Sequence, residues 1–267
     1  MPAQTLRSER EIQRMRVPGL AVRQALELAM EMIAPGVTTR EIDDAVAEHF
    51  RRLDAVPLFK NYPNPTEGGP PFPGVTCMSL NDEVVHGVPN DRQLVEGDIL
   101  SIDTGCRIGG WCGDSAVTLA VGKVAPAVRR LLEVTQEVLD MAIDLLGKKQ
   151  WWSEVAAEMD AFVRANGLTT VESFVGHGIG REMHELPQVP NFVSPQLRRH
   201  GDFRLEPGLV LAIEPMVNMG GKAVKPLSDQ WTMVTADGKP SAHFEHTVAI
   251  TESGVRILTA PATAEER

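Results

Sequence analysis

The chain has 267 residues, of which 43% are hydrophobic and 23% charged, a composition typical of a globular protein of enzyme size. Its formal net charge of -10 argues against nucleic acid or an anionic membrane as partner, because an acidic protein needs a concentrated basic patch to bind either, and the sequence contains none. No apolar run reaches the length of a signal-peptide core or a spanning helix, so we predict a cytoplasmic protein without membrane association.

Two pairs of amphipathic helices are predicted, one pair in each half of the chain. Apolar residues recur at helical spacing over 22–33 and 42–50, and the helix breaker Pro35-Gly36 separates the two runs. The stretch AVRQALEL at 21–28 recurs as AVRRLLEV at 127–134. The repeat predicts a single domain over 1–267, built from two similar halves at about 10–122 and 123–260, each with two helices followed by strands.

The segment NYPNPTEGGPPFPGVTC at 61–77 is too rich in proline and glycine for regular structure. Two interpretations stay open for it. It is either a simple connection or a loop that forms the wall of a site.

Strands are predicted at 97–122, 208–217 and 241–251, and they contain carboxylates in apolar surroundings. The first region is predicted to be a hairpin. If its turn is centred between Ile108 and Gly109, Asp103 lies directly opposite Asp114, an arrangement that is destabilising unless the two share a proton or a cation. A shifted turn would remove this opposition.

The same anomaly recurs at Glu214 and Glu245, each a single carboxylate in an apolar, strand-like run. Buried charges are tolerated when they are paired or bind a metal, and no matching set of core lysines or arginines accompanies these four carboxylates. The pattern favours a metal centre over four separate salt bridges. Oxygen ligands with an imidazole suit divalent Mn, Fe, Co or Zn, and two adjacent ions would explain the number of acidic groups and indicate metal-assisted hydrolysis.

The stretch VGHGIGREMHE at 175–185 carries two of the seven histidines, His177 and His184. Its three glycines argue against a helix. We predict a strand or loop in which glycine lets the backbone approach a ligand closely and the imidazoles are aimed by position. The alternative is that both histidines are merely structural. The cysteines, Cys77, Cys106 and Cys112, lack metal or redox spacing and are predicted to be reduced and buried.

Five motifs now stand in order along the chain: NDEVVHGVP, SIDTG with CGDS, GHGIGREMHELPQV, AIEPMVN and FEHTV. Together they resemble the signature of type I methionine aminopeptidases from about residue 10 to residue 260. The resemblance implies an α+β, pita-bread (creatinase/aminopeptidase-like) fold, with two pseudo-symmetric halves of helices and antiparallel strands around a central metal site in a single catalytic domain. It also implies removal of the N-terminal methionine from nascent proteins and peptides whose second residue is small.

The resemblance further implies roles for individual residues. Two divalent ions would be held, with Asp114 and Glu245 bridging them, by Asp103, Asp114, His177, Glu214 and Glu245. His86 and His184 would contact the substrate, and Glu214 would also carry a proton from water to the leaving amine. The methionine side chain would lie among Phe72, Cys77, Met183 and Trp231, although 61–74 is longer than the usual pattern and Phe72 stands where relatives often carry tyrosine.

Two alternatives remain beside this interpretation. X-Pro dipeptidases and aminopeptidases share the fold and ligand set, but usually carry a large N-terminal domain for which this chain has no room. A metal-free binding module of the same fold is disfavoured because all five ligand positions are filled. We expect a monomer that acts on the N-termini of nascent polypeptides and Met-X peptides. Ribosome association is a further hypothesis that such substrates raise.

Overall fold

The structure is a computed structural model that describes residues 4–264 and 266. Within these residues the helices are α1 (Glu9–Met32), α2 (Thr39–Arg52), α3 (Pro126–Leu146) and α4 (Trp152–Ala165), with a π-helical turn at Leu197–Gly201. The strands that precede α3 are β1 (Val56–Pro57), β2 (Thr76–Leu80), β3 (Glu83–Val85), β4 (Ile99–Ile108) and β5 (Trp111–Ala120). Those that follow α4 are β6 (Thr169–Thr170), β7 (Gly176–Gly178), β8 (Glu185–Val189), β9 (Val210–Ile213), β10 (Met216–Asn218), β11 (Val224–Pro226), β12 (Met233–Thr235), β13 (Ser241–His243), β14 (His246–Thr251) and β15 (Gly254–Ile257).

Both predicted pairs of helices are confirmed, and sequence signals account for their starts. α1 begins earlier than its apolar stripe because Ser8 and Glu11 form a capping box, and it continues through the buried Pro18. Thr38 caps α2 in the same way, and Pro126 occupies the first turn of α3, where its missing N–H costs nothing. Among the described residues, no helix combines the length and the apolar composition needed to cross a bilayer.

The strands pair antiparallel throughout the described sheets. β5 lies on one edge of β4, and β1 and β2 share its other edge. A five-stranded sheet has the order β15-β14-β9-β7-β8, and two three-stranded sheets have the orders β13-β10-β6 and β11-β12-β3. The sheet β11-β12-β3 joins β3, which precedes α3, to β11 and β12, which follow α4.

The hairpin of β4 and β5 is confirmed, but its predicted register is wrong. Ile108 pairs with Trp111, so the turn is Gly109-Gly110, with both residues at positive φ. This is the two-residue turn that suits the twist of a hairpin and that glycine adopts without strain. Asp103 consequently pairs with Ala116, and Asp114 pairs with Gly105. The two aspartates are diagonal neighbours on one face of the sheet, not directly opposed.

The two largest apolar clusters each contain one pair of helices. One core joins α1 and α2 to β2 and β4, and the other joins α3 and α4 to the strands that follow them. β5 meets Glu245 and the start of β14, where Glu245 N donates to Ala116 O at 2.9 Å and Thr247 Oγ1 donates to Asp114 O at 2.8 Å. We call this contact, between β5 and residues 245–247, the seam. The division of one domain into two similar halves stays a prediction.

Candidate metal centre

A cavity of about 470 Å³ opens beside the seam. This volume suits a small ligand or the end of a peptide. Its described lining contains no lysine or arginine. The polar part of the lining comprises, among others, the four carboxylates Asp103, Asp114, Glu214 and Glu245 and the four histidines His86, His177, His184 and His243. The structure thus brings together in one pocket every carboxylate that stood out in the sequence.

The carboxylates reach the pocket from separate strands or strand ends. Asp103 lies in β4 and Asp114 in β5, whereas Glu214 follows β9 and Glu245 precedes β14. Because side chains alternate across a strand, the diagonal placement of the two aspartates keeps both on the pocket face. Oxygens of Asp114 and Glu245 and a nitrogen of His177 lie within 4.8 Å of one another.

Several oxygens of this cluster lack a hydrogen-bond partner among the described residues. These buried oxygens are Asp103 Oδ1, Asp114 Oδ1 and Glu245 Oε1. A buried oxygen without a partner loses its hydration without compensation, which destabilises the fold. Three such atoms side by side in a pocket without a cationic side chain fit a site built to hold positive charge.

Burial raises the pKa of every carboxylate in the cluster, and repulsion by neighbouring carboxylates adds to the effect at Asp103, Asp114 and Glu245. Burial raises the pKa of Asp114 to about 8, with Glu214 adding to the effect, and burial raises the pKa of Glu214 to about 8. The pKa values of Asp103 and Glu245 lie well above their usual range, first through burial and then through the neighbouring carboxylates. Without a cation the cluster therefore favours protonation.

The metal-free protein is expected to lose stability as pH rises from about 7 to about 8. In this range the raised folded-state pKa values of Asp114 and Glu214, both about 8, leave more protons bound to the folded than to the unfolded chain, so stability falls with pH. Buried histidines act in the opposite direction only below about pH 6.5, where the unfolded chain takes up their protons. Thermal unfolding of chelator-treated protein should show a free energy of unfolding lower by roughly 1 kcal/mol or more at the higher pH.

The matched variant for this measurement is Asp114→Asn, which removes one of the titrating groups and should flatten the pH dependence. An unfolding temperature that stays constant or rises between pH 7 and pH 8 in the metal-free parent would contradict the assigned protonation.

His177 is presented to the carboxylates by β7. Its Nδ1 lies 3.0 Å from Gly178 O, so we assign the ring proton to Nδ1 as a donor to that carbonyl. The Nε2 lone pair then faces the cluster, 3.7 Å from Glu214 Oε1. Burial lowers the pKa of His177 to about 3, which keeps the ring neutral at physiological pH. A neutral imidazole with its other nitrogen fixed by a carbonyl is the form that binds metal.

The glycines on either side of His177 lie where neighbouring strands leave no room for a side chain. The prediction that this stretch is not helical is confirmed by β7 and β8. A Cβ at Gly176 would lie 2.4 Å from Ala212 O, and a Cβ at Gly178 would lie 2.5 Å from Leu186 O. Glycine is therefore required here by the close approach of the neighbouring strands β8 and β9. The predicted approach of this backbone to a ligand stays a prediction.

His86 and His184 lie around the same pocket, away from the closest carboxylate contacts. His86 has a left-handed backbone with φ 60, and its ring meets Phe174 edge to face at a centroid distance of 5.4 Å. Burial lowers the pKa of His86 to about 4. His184 meets His177 edge to face at 4.4 Å. Both rings face the cavity and can contact a bound ligand there.

His243 is a site residue that the sequence analysis missed. It is 2% exposed, and its Nε2 lies 3.5 Å from Glu214 Oε2. Glu214 thus lies between two imidazoles, with one oxygen towards His177 and the other towards His243. Burial lowers the pKa of His243 to about 3. A signal existed, because His243 stands two residues before Glu245 in the same apolar run.

The apolar wall of the pocket includes all four residues predicted to hold a methionine side chain. A single cluster contains Phe59, Phe72, Cys77, Met183 and Trp231. The Phe72 and Trp231 rings pack edge to face at 5.2 Å, and burial raises the pKa of the Cys77 thiol, which makes it an inert lining group. The cysteines predicted to be reduced and buried are all free and buried. Tyr62, Phe59 and Phe174 were not predicted to line the pocket.

Comparison with known proteins places these features in context. Metallopeptidase family M24 matches this chain over residues 13–252. Methionine aminopeptidase 1 of Bacillus subtilis is 42% identical over 253 residues, covering 95% of this chain and 98% of the relative. The crystal structure of methionine aminopeptidase from Thermotoga maritima matches with a TM-score of 0.88 at 40% identity, covering 96% of this chain and 99% of that one. Prolidase from Pyrococcus furiosus, at 20% identity, shares the fold with a TM-score of 0.75 over 97% of this chain and 66% of its own.

Proposed function

The chain belongs to metallopeptidase family M24 and, within it, to the methionine aminopeptidases, and we infer that it is a metal-dependent enzyme that removes N-terminal methionine. Its architecture is the pita-bread fold, as the motif resemblance implied. The observation that carries the function beyond family membership is the group of buried carboxylate oxygens without partners, beside an apolar slot.

We propose that two divalent ions bind this cluster. Four carboxylates and a neutral imidazole carry a formal charge that two divalent cations would balance. The ligands would be Asp103, Asp114, His177, Glu214 and Glu245, with Asp114 and Glu245 shared as the motif resemblance implies. Oxygens of Asp114 and Glu245 and a nitrogen of His177 lie within 4.8 Å of one another, which supports a metal at this point. When bound, such ions supply Lewis acidity towards a carbonyl and lower the pKa of water.

The remaining chemistry comes from the chain itself. Glu214, which lies between His177 and His243, would accept a proton from the attacking water and deliver it to the departing amine nitrogen. His86 and His184 would contact the peptide and stabilise charge on its carbonyl oxygen. The cluster of Phe72, Cys77, Met183 and Trp231 would enclose the methionine side chain and exclude water from the reacting bond.

Methionine should be released only from peptides whose second residue is small, such as glycine, alanine, serine or proline. The apolar slot favours an unbranched thioether through burial and through sulfur–aromatic contacts worth about 0.3 to 1.5 kcal/mol. Norleucine differs little from methionine in size and should be partly accepted, whereas charged or β-branched first residues should not. The measurement compares hydrolysis of Met-Ala, Met-Lys, Leu-Ala and Ala-Pro peptides under one metal condition.

The peptide panel also tests the competing X-Pro activity. Preference for Ala-Pro over Met-Ala would refute the methionine assignment. Equal cleavage of Met-Ala and Met-Lys would refute only the rule of a small second residue. The present match to a prolidase shows the fold alone, since its identity is 20%. A metal-free binding module would show no stoichiometric divalent metal in the purified protein.

We propose the N-termini of nascent polypeptides as substrates and the cytoplasm as the compartment. The native metal would be Mn, Fe, Co or Zn, and adding each ion to chelated protein before the peptide panel would identify the one that supports turnover. A monomer is proposed, which light scattering would test. Ribosome association is a separate hypothesis that co-sedimentation with ribosomes would test.

A further inference from the structure

Tyr62, the only tyrosine of the chain, contacts one of the pocket histidines. Its phenol oxygen lies 2.9 Å from His184 Nδ1, and the two rings meet edge to face with centroids 5.7 Å apart. The first distance is that of a hydrogen bond, and the edge contact restricts the orientation of the imidazole plane. Tyr62 therefore forms a hydrogen bond with one of the two ring nitrogens of His184, and this ring faces the cavity.

The backbone of Tyr62 is held by the apolar wall of the pocket. Tyr62 N donates to Phe59 O at 2.9 Å, and Phe72 N donates to Tyr62 O at 3.0 Å. The adjacent Asn61 N donates to Phe72 O at 2.8 Å. Phe59 and Phe72 both belong to the apolar cluster. The fold of the pocket wall thus sets the position of the phenol before any ligand binds.

The following residues, 63–71, form a loop that is tied to the same apolar wall at Trp231 and its neighbour Gln230. Trp231 Nε1 donates to Pro70 O at 2.8 Å, and Asn64 Nδ2 donates to Gln230 O at 3.2 Å. The proline- and glycine-rich segment is therefore a wall of the site, one of the two interpretations left open by its composition. The contacts of Asn64 and Pro70 hold the chain that follows Tyr62. The hydrogen bond to Phe59 O holds the chain that precedes it.

The direction of the hydrogen bond follows from the acidity of the two groups. A phenol O–H is a stronger acid than an imidazole N–H, and an imidazole nitrogen is a stronger acceptor than a phenol oxygen. Tyr62 is therefore the donor and His184 Nδ1 the acceptor. The ring proton of His184 then resides on Nε2, the nitrogen that does not contact Tyr62.

We propose that Tyr62 is a positioning residue, which holds His184 as an Nε2–H donor for the carbonyl oxygen of the peptide bond that is cleaved. The inference rests on the proposed function, because it adds a partner to one of the two substrate-contacting histidines. A donor oriented before the reaction stabilises the negative charge that develops on that oxygen without reorganisation. With the ring proton on Nδ1, Nε2 would present a lone pair to the same oxygen and repel it.

A double-mutant cycle on the metal-loaded enzyme tests the proposal. Tyr62→Phe removes one hydroxyl and is expected to lower kcat on a Met-Ala peptide about tenfold, with KM changed less than about twofold. In a His184→Ala background the same change should have no further effect, because Tyr62 acts only through that ring. Phe72→Leu is the matched control: it alters the apolar wall and should raise KM in both backgrounds.

The proposal fails if Tyr62→Phe raises KM at constant kcat, or lowers activity equally in both backgrounds, since either result would make Tyr62 a lining residue only. A second measurement does not depend on substrate or metal. In the metal-free protein with ¹⁵N-labelled histidine, the His184 signals, assigned by their loss in His184→Ala, should show a protonated Nε2 and should shift in Tyr62→Phe. A protonated Nδ1 in the parent would overturn the proposal, whereas a parent that prefers Ala-Pro would overturn the proposed function instead.

Discussion

Replacing Asp114 with asparagine is expected to abolish metal binding and methionine release together, with a loss of activity on the order of a thousandfold or more. The substitution keeps the size of the side chain but replaces a carboxylate, proposed as a ligand of both ions, with a neutral amide that binds divalent metals weakly. Metal content per chain by elemental analysis, measured beside the hydrolysis of a Met-Ala peptide, provides the test. Glu245→Gln should give the same result.

Asp98→Asn is the matched control for this substitution. Asp98 is also a buried aspartate near the hairpin, but its oxygens accept hydrogen bonds from Asn81 Nδ2 and Val95 N and it does not line the pocket. Its replacement can lower the unfolding temperature yet should leave two metals per chain. If Asp114→Asn kept both metals and full activity, the assignment of a shared ligand would be wrong.

Replacing His184 with alanine should keep the metals and lower turnover by about 100-fold or more. The reason is geometric: His177 points Nε2 at the carboxylate cluster, whereas His184 Nδ1 is engaged by Tyr62 and its ring faces the cavity. His177→Ala is expected to show the opposite pattern, with weakened metal binding and a corresponding loss of turnover. Metal content and peptide hydrolysis measured on the same preparations separate the two roles.

His200→Ala serves as the control for general effects of removing a histidine, because His200 lies on the π-helical turn outside the cavity. It should retain both the metals and the activity. Loss of metal in His184→Ala, or retention of metals and activity in His177→Ala, would exchange the assigned roles.

The sequence alone locates the carboxylate cluster even though the predicted hairpin register is wrong. The true turn, Gly109-Gly110, moves the pairing of Asp103 from Asp114 to Ala116. Side chains alternate with a period of two, and this shift preserves the alternation, so both aspartates still face the pocket. A slip of one residue would have put them on opposite faces. The predicted alternation of side chains was therefore correct in spite of the wrong register. The exact pairing partner of Asp103 depended on the conformation of the two turn glycines.

Local sequence patterns could not predict contacts between segments that lie far apart in the chain. Tyr62 and His184 are 122 residues apart, and the segment that contains Tyr62 has no period that indicates which way its side chain points. His243 is different. It lies in an apolar run next to Glu245, so the reasoning that identified the carboxylates could have identified it too.

The seam has a consequence for the synthesis of the protein. Ser115 Oγ donates to Glu245 O across a sequence separation of 130 residues. The contacts of β5, the strand that carries Asp114, are therefore completed only after a segment translated much later has been made. Until that segment has left the ribosome, β5 exposes the edge that the seam will cover, and a growing chain contains only part of the acidic cluster. With the proposed ligand set, a translation product that stops before Glu245 should therefore lack peptidase activity. Peptide hydrolysis would then begin only after Glu245 has been added, so that activity would indicate that nearly the whole chain has been made and folded.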